Sequence, residues 1–471
     1  MQQRTQWTIG ARIRASLFGV EPLGPAEARS IPWAAAVVGI VLGTWYFIRP
    51  VRDEIASRQG VVLSALTTAT FVVMLVAMPL YAAIVKRSTP RRLLPGVYGV
   101  FALMLVAFWA ALTQAPAGMV VWVERAFFVW ASVFSVFAVS VFWGLMADVF
   151  TEGQGKRFFG AVAAGGSLGG VLGSAAASLV LSPPASLPWL KVSPTGMLLI
   201  AAFTLLLSVL GLRGIHAAPE ESSADAEVKG RALPVDEERI EGTIWASLAA
   251  PFRSPYLLGV CGYLFLYTVT STFLYFQQTS IVGQAIADKA QRAAIFAQTD
   301  LVVNVVTFVA QLFLASRAMM RLGVGVTLCI VPVLTLLGFV GLTMAPVLWL
   351  VMGFQIVRRI ANFALARPAR EVLFTVVSRE DKYKAKAFID TVIYRAGDTV
   401  SGWLYAGLDV FGLGLALLAG VAAGISAAWV VVAGLLGRSH ERMVARAAPR
   451  VRMVARAAPR VSHSASSGAP G

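Results

Sequence analysis

The sequence is poor in cysteine, in histidine and in charge. It has two cysteines and three histidines, and Asp, Glu, Lys and Arg together make up 14% of its 471 residues. Cys261 and Cys329 sit far apart in apolar stretches. They make neither a disulfide framework nor a zinc site, and read as small packing residues. His216, His440 and His463 fall in what read as loops or the tail, which leaves no histidine for a proton relay inside an apolar segment. A soluble domain carries roughly 25% charged residues. With 58% hydrophobic residues and a mean hydropathy of +0.73, this composition is that of a membrane protein. The glycine-rich stretches GQGK (153–156) and GGSLGGVLG (165–173) both lack the Gly-Lys-Ser/Thr ending of a phosphate loop, so a P-loop ATPase is excluded. Gly160, Ala164, Gly169, Gly173 and Ala177 instead offer small residues for close helix approach. Nothing in the sequence calls for a catalytic constellation, a metal site or a cofactor.

What the chain has is long apolar runs. Crossing a bilayer takes about 20 residues, and the hydropathy predicts about twelve such spans: 31–52, 61–85, 93–112, 119–147, 157–181, 194–213, 255–281, 292–316, 322–344, 346–374, 384–409 and 412–436. The net charge of +16 does not point to nucleic acid, because the basic residues recur in alternate loops, as the positive-inside rule asks of cytoplasmic segments. Residues 1–30 are polar and basic without the apolar core of a signal peptide. The expectation is a multi-pass protein of a bacterial inner (plasma) membrane with both termini cytoplasmic.

One long polar break, 214–252, separates an N-terminal half (31–213) from a C-terminal half (253–436). Weak echoes relate the halves: KRSTPRRLLPG against SRAMMRLGVG, and DVFTEGQGKRFFGAV against TVVSREDKYKAKAFIDTV. The predicted fold is therefore an all-α membrane protein with two six-helix halves on the major-facilitator plan, whose substrate site lies between the halves near the bilayer midplane. Residues 437–471, with the direct repeat RMVARAAPRV at 442–451 and 452–461, read as a disordered basic tail. The lipid bilayer itself is the other partner such a chain implies.

The candidate site comes from charge in the wrong place. Arg358 and Arg359 lie midway along span 10, Arg395 and Asp398 along span 11, and Asp300 in span 8. Arg49 and Arg52 end span 1, Glu124 begins span 4, and Lys386 and Asp390 precede Arg395. Five mid-membrane charges facing lipid would cost roughly 12–17 kcal/mol even on the mild translocon scale, so they must face inward. The forked, permanently charged guanidinium suits carboxylate or phosphate. Arg49, Arg52, Arg358, Arg359, Arg395 and Lys386 are thus the expected anion-binding residues, and Asp300, Asp390, Asp398 and Glu124 the coupling or charge-pairing ones. Pairing of these charges with one another is the competing, purely structural reading. On span 7, Tyr267, Thr270, Ser271, Thr272, Tyr275, Gln277 and Gln278 make a polar, aromatic face.

FIRPVRDE (47–54), FWGLMADVF (142–150) and AREVLFTVVSREDKYKAKAFIDTVIYRAGDTVSGWL (369–404) resemble the ATP/ADP antiporters, the nucleotide exchangers of plastids and intracellular bacteria. In that resemblance Arg49, Arg52 and Asp53 match a basic-acidic motif ending helix 1, and Arg370, Glu371, Lys384, Lys386 and Asp390 match the helix 10–11 hairpin. Two places depart from the pattern: the acidic residue of helix 4 has no counterpart near Ala131, and Asp398 stands where exchangers carry a base. The resemblance implies a secondary carrier exchanging nucleotides or other small phosphorylated anions. A proton-coupled carrier or exporter of another solute is the alternative, and a non-transporting receptor or assembly factor on a carrier scaffold is a third. Oligomeric state is not written in the sequence; a monomer is compatible with it.

Overall fold

The computed structural model describes residues 25–87, 90–149, 152–214, 254–313, 315–377 and 389–457. Six helices form the first half: α1 (Pro25–Ala56), α2 (Val62–Arg87), α3 (Pro90–Gln114), α4 (Ala117–Val149), α5 (Glu152–Leu181) and α6 (Met197–Gly211). The second half holds α7 (Pro255–Ala285), α8 (Lys289–Phe313), α9 (Ala315–Met344), α10 (Leu348–Val376), α11 (Tyr394–Val410) and α12 (Leu415–Ala457). Nine helices among the described residues are long and apolar enough to cross a membrane. With α2, α6 and α11 the predicted spans are all present as helices. Each half buries an apolar interior, while leucines, valines and tryptophans such as Leu103, Trp122, Leu337 and Trp403 remain on the outside of the bundle, where a bilayer would meet them.

The pairing of helices repeats. In the first half α1 packs on α4, α5 and α6, α2 on α4, and α3 on α4 and α6; in the second, α7 packs on α10, α11 and α12, α8 on α10, and α9 on α10 and α12. Adding six to each helix number turns one list into the other. Between the halves α5 meets α8 and α2 meets α11, as the same rule requires, while α1 also packs on α8 without a comparable α2–α7 contact among the described residues. The halves are parallel repeats about one pseudo-twofold axis, the arrangement expected of a major-facilitator fold.

Several boundaries differ from the hydropathy reading, for local reasons. α1 is already helical at Pro25, the first described residue, six positions before the expected start at 31. Span 9 does begin near residue 322, because Gly323 (φ 75°) breaks the helix there. α10 is not one regular helix: a π-helical turn, Asn362–Ala366, interrupts it, and a second, Ile389–Ile393, leads into α11. α12 does not stop at 436. Its Ala-, Arg- and Met-rich continuation favours helix and runs to Ala457. His440 is therefore buried in a helix, not loose in a tail, with Nδ1 3.1 Å from the Tyr256 hydroxyl. The polar break (215–253) and residues 458–471 lie outside the described residues.

The small-residue reading of span 5 holds at its centre. A methyl group at Gly169 would overlap the Gly39 carbonyl, one at Gly173 the Gly43 carbonyl, and one at Gly165 the Ala35 carbonyl. Gly160 is different, because nothing lies within 4 Å of its outer face. The α1–α5 contact is thus backbone on backbone, which brings α1 close to the middle of the molecule.

Candidate functional site

A cavity of about 330 Å³ lies between the two halves. α1 contributes Arg49 and Arg52, α10 contributes Gln355, Arg358, Arg359 and Asn362, and α11 contributes Arg395 and Asp398. The residues on α10 are spaced at i, i+3, i+4 and i+7, so one helix face carries all four. α7 supplies Tyr267, Ser271, Thr272 and Tyr275, as its polar face suggested. Thr270 from the same face turns away to accept from Arg358, and Gln277 donates to the Leu415 carbonyl. Phe128 and Ser132 of α4 and Thr67 and Thr70 of α2 complete the N-terminal wall.

The five arginines are held in different ways. Asp300, 2% exposed, takes Arg49 Nη1 at 3.0 Å and Arg359 Nη1 at 2.6 Å on the same oxygen, Oδ1, while its Oδ2 is buried without a partner. One carboxylate therefore joins α1 of the first half to α8 and α10 of the second. Arg49 also lies 3.4 Å from Asp53, whose Oδ1 accepts from Tyr275 of α7 at 3.0 Å. Arg52 sits over the rings of Phe128 (4.7 Å), Tyr275 (5.7 Å) and Trp45 (6.0 Å), with Asp53 at 3.6 Å and a buried Nε that meets no acceptor. Arg395 has Asp398 at 3.9 Å, and Asp398 accepts from Thr272 at 3.0 Å.

Arg358 stands apart from the others. It is 2% exposed and bonds only neutral groups: Thr335 Oγ1 (3.1 Å), Ser271 Oγ (3.0 Å), the Tyr267 carbonyl (3.3 Å) and Thr270 Oγ1 (3.3 Å). Among the described residues it has no carboxylate partner. Five arginines against Asp53, Asp300 and Asp398 leave a formal surplus of two positive charges at the cavity.

A second ionic cluster closes the end of the molecule where α1 finishes. Arg58 bonds Glu54 (2.8 Å) and Glu124 (2.9 Å), Arg292 of α8 bonds Glu54 (2.8 Å), and Lys289 approaches Glu124 at 3.5 Å. Glu124 therefore belongs to this cluster and not to the cavity. The cluster spans both halves, α1 and α4 on one side and α8 on the other. By hydropathy Arg58 and Lys289 fall in the short links between spans and Arg292 at the very start of span 8. Their crowding at one end of the spans, where charge is otherwise scarce, was the available signal.

Of the residues expected at the site, Arg49, Arg52, Arg358, Arg359, Arg395 and Asp398 meet at one cavity and Asp300 lies directly behind it. Lys386 and the side chain of Asp390 lie outside the described residues. Gln355, Asn362, Phe128 and Ser132 were not anticipated.

No family model and no curated protein matches the chain. Solved structures match nearly all of it in fold. A D-xylose–proton symporter superposes with a TM-score of 0.58 at 13% identity, covering 86% of this chain and 96% of its own. A POT family transporter in complex with 5-aminolevulinic acid gives 0.57 at 11%, covering 88% and 96%. A bacterial homolog of the human lysosomal transporter Spinster, in an inward-facing and unoccupied conformation, gives 0.54 at 14%, covering 90% and 94%. At these identities the likeness is one of fold. It establishes the major-facilitator-like architecture, and the ATP/ADP antiporter resemblance finds no support in it.

Proposed function

We propose that this chain is a secondary carrier that moves a small phosphate- or carboxylate-bearing solute by alternating access between its two halves. The observation that carries the reading is Arg358, a guanidinium buried at the inter-half cavity with hydrogen bonds but no counter-ion. Burying an ion without a partner costs several kcal/mol, and a bound anion would offset that cost. The surplus of two charges suits a dianion such as a phosphate monoester or a dicarboxylate. A cavity near 330 Å³ falls at the small end of ligand sites, which span roughly 300–1,000 Å³. A nucleoside triphosphate, with more charge and more bulk, suits it less well. Nucleotide exchange therefore rests on the resemblance of FIRPVRDE and the 369–404 stretch alone.

By the positive-inside rule the Glu54–Arg58–Glu124–Arg292 cluster lies at the outer face. It would hold the outside shut in the state described here. That the solved structures sharing this fold are transporters agrees with a carrier, and the plasma membrane of a bacterium is its proposed place.

Coupling to protons is a second reading, favoured by Asp398, a cavity-wall carboxylate whose one ion pair among the described residues is with Arg395 at 3.9 Å. The test uses purified protein in liposomes, first loaded with unlabelled phosphorylated and dicarboxylic solutes and then challenged with labelled ones. Uptake driven by internal solute supports exchange. Uptake driven by an imposed proton gradient and lost in Asp398→Asn supports proton coupling. No uptake of any anion under either driving force refutes the anion reading.

A further inference from the structure

Next to the central cavity, and sharing Phe363 with it, is a second cavity of about 620 Å³. It is bordered by Arg367, Arg370 and the carboxylate Glu371 of α10, so that arginine outnumbers carboxylate at its wall, and by Ile389 and Tyr394 where the second π-helical turn leads into α11. Both π-helical turns thus lie at its walls, and such turns are over-represented at functional sites. Arg370 is 7% exposed. One of its nitrogens donates to the Tyr394 hydroxyl at 3.1 Å, and its guanidinium lies over the Tyr267 ring at 5.0 Å. Among the described residues no carboxylate lies within ion-pair distance of it, and a guanidinium has five donors.

Arg358 also lies over Tyr267, at 5.3 Å, from the side of the central cavity. Two buried cations without carboxylates thus share one aromatic ring and stand no more than about 10 Å apart. Like charges this close in a protein interior repel, so neither can be there to neutralise the other. Arg367, stacked on Phe363 at 5.2 Å, adds a third cation at the rim.

We infer that Arg370, with Tyr394 and Arg367, forms a second anion site that binds a phosphate or carboxylate group separately from the central cavity. The forked guanidinium is geometrically suited to either. The group comes either from a solute or from an anionic lipid headgroup, since the chemistry is the same.

The test is a titration of the purified full chain in detergent at fixed ionic strength. One arm uses inorganic pyrophosphate, and the other uses mixed micelles bearing phosphatidylglycerol. Arg370→Gln is expected to weaken one binding phase about tenfold or more while leaving the phase that Arg358→Gln removes. The arm in which that happens identifies the source of the group. Tyr394→Phe, which keeps the charge but removes the hydroxyl holding it, is expected to weaken the same phase less. It also serves if Arg370→Gln does not yield monodisperse protein. Binding unchanged in both arms for Arg370→Gln, or for Tyr394→Phe where only that variant folds, overturns the second site. If in addition Arg358→Gln abolishes binding, the central-site reading survives. A response to Arg370→Gln with none to Arg358→Gln supports the second site and counts against the central one.

Discussion

Arg358 and Arg359 are neighbours in sequence, yet neutralising them should have opposite consequences. Arg359 donates at 2.6 Å to Asp300, whose second oxygen already lacks a partner. Arg359→Gln leaves that buried carboxylate with Arg49 alone. Breaking a buried pair typically costs about 3–5 kcal/mol, and the surviving Arg49 bond places this case near the lower end. Arg358→Gln removes a buried charge that has no carboxylate. Two of the three hydroxyls it bonds keep other partners, Thr335 on the Val331 carbonyl and Thr270 on the Leu266 carbonyl. Lost charge-assisted hydrogen bonds, about 1.5–3 kcal/mol each, oppose a recovered desolvation cost of several kcal/mol. The net change in stability should be small. Binding is another matter. One unit charge at about 4 Å and an effective dielectric of about 20 contributes about 4 kcal/mol to holding an anion, or about 1,000-fold in affinity. The assay is the thermal midpoint of each purified variant with and without a panel of phosphate esters and dicarboxylates. Arg359→Gln should lower the midpoint by several degrees in the absence of solute. Arg358→Gln should keep it and lose the solute-induced rise. Equal destabilisation by both, with the solute response intact in Arg358→Gln, would refute the reasoning.

Asp300→Asn should free Arg359 and leave Arg49 with Asp53 alone, tightening anion binding about tenfold while destabilising the unliganded protein; weaker binding would count against a cationic site. Arg292→Gln removes the bond from α8 to Glu54. The loss of an inter-half ion pair of about 1–2 kcal/mol should shift the closed-to-open balance about tenfold. That shift would be read as faster labelling, by an impermeant thiol reagent from outside, of a cysteine replacing Thr67 in a background without Cys261 and Cys329. Gly169→Ala meets the Gly39 carbonyl and should cost about 3 kcal/mol or prevent recovery of monodisperse protein. Gly160→Ala, with open space around it, should be neutral or raise stability by up to about 1 kcal/mol.

Much of this architecture was legible in the sequence, because lipid forces segregation that hydropathy reads directly. The twelve spans and the arginines of spans 1, 10 and 11 follow from the cost of charge and bare backbone in hydrocarbon. What was not legible depends on which helix faces which. Nothing in the α10 sequence says that Arg359 finds Asp300 while Arg358 does not. The two point about 100° apart on the helix, and only the position of α8 decides between them. The Glu54–Arg292 pair spans 238 positions and needs both halves in place. The π-helical turns, which set the faces of Asn362 and Tyr394, leave no mark in hydrophobic periodicity. The extension of α12 was missed because a basic, repetitive stretch reads as a tail when its composition is weighed and its helix propensity is not.

The glycine seam between α1 and α5 makes those two helices one mechanical unit. Where carbonyl meets α-carbon there is no side chain to change rotamer, and no slack to take up a displacement. α1 and α5 therefore move together, and α1 carries Arg49 and Arg52 with it. Compliance is concentrated across the axis. Among the described residues, both π-helical turns and the Gly323 break belong to the C-terminal half. Substitutions that tune the speed of any cycle should accumulate in α9, α10 and α11, while the seam tolerates almost none.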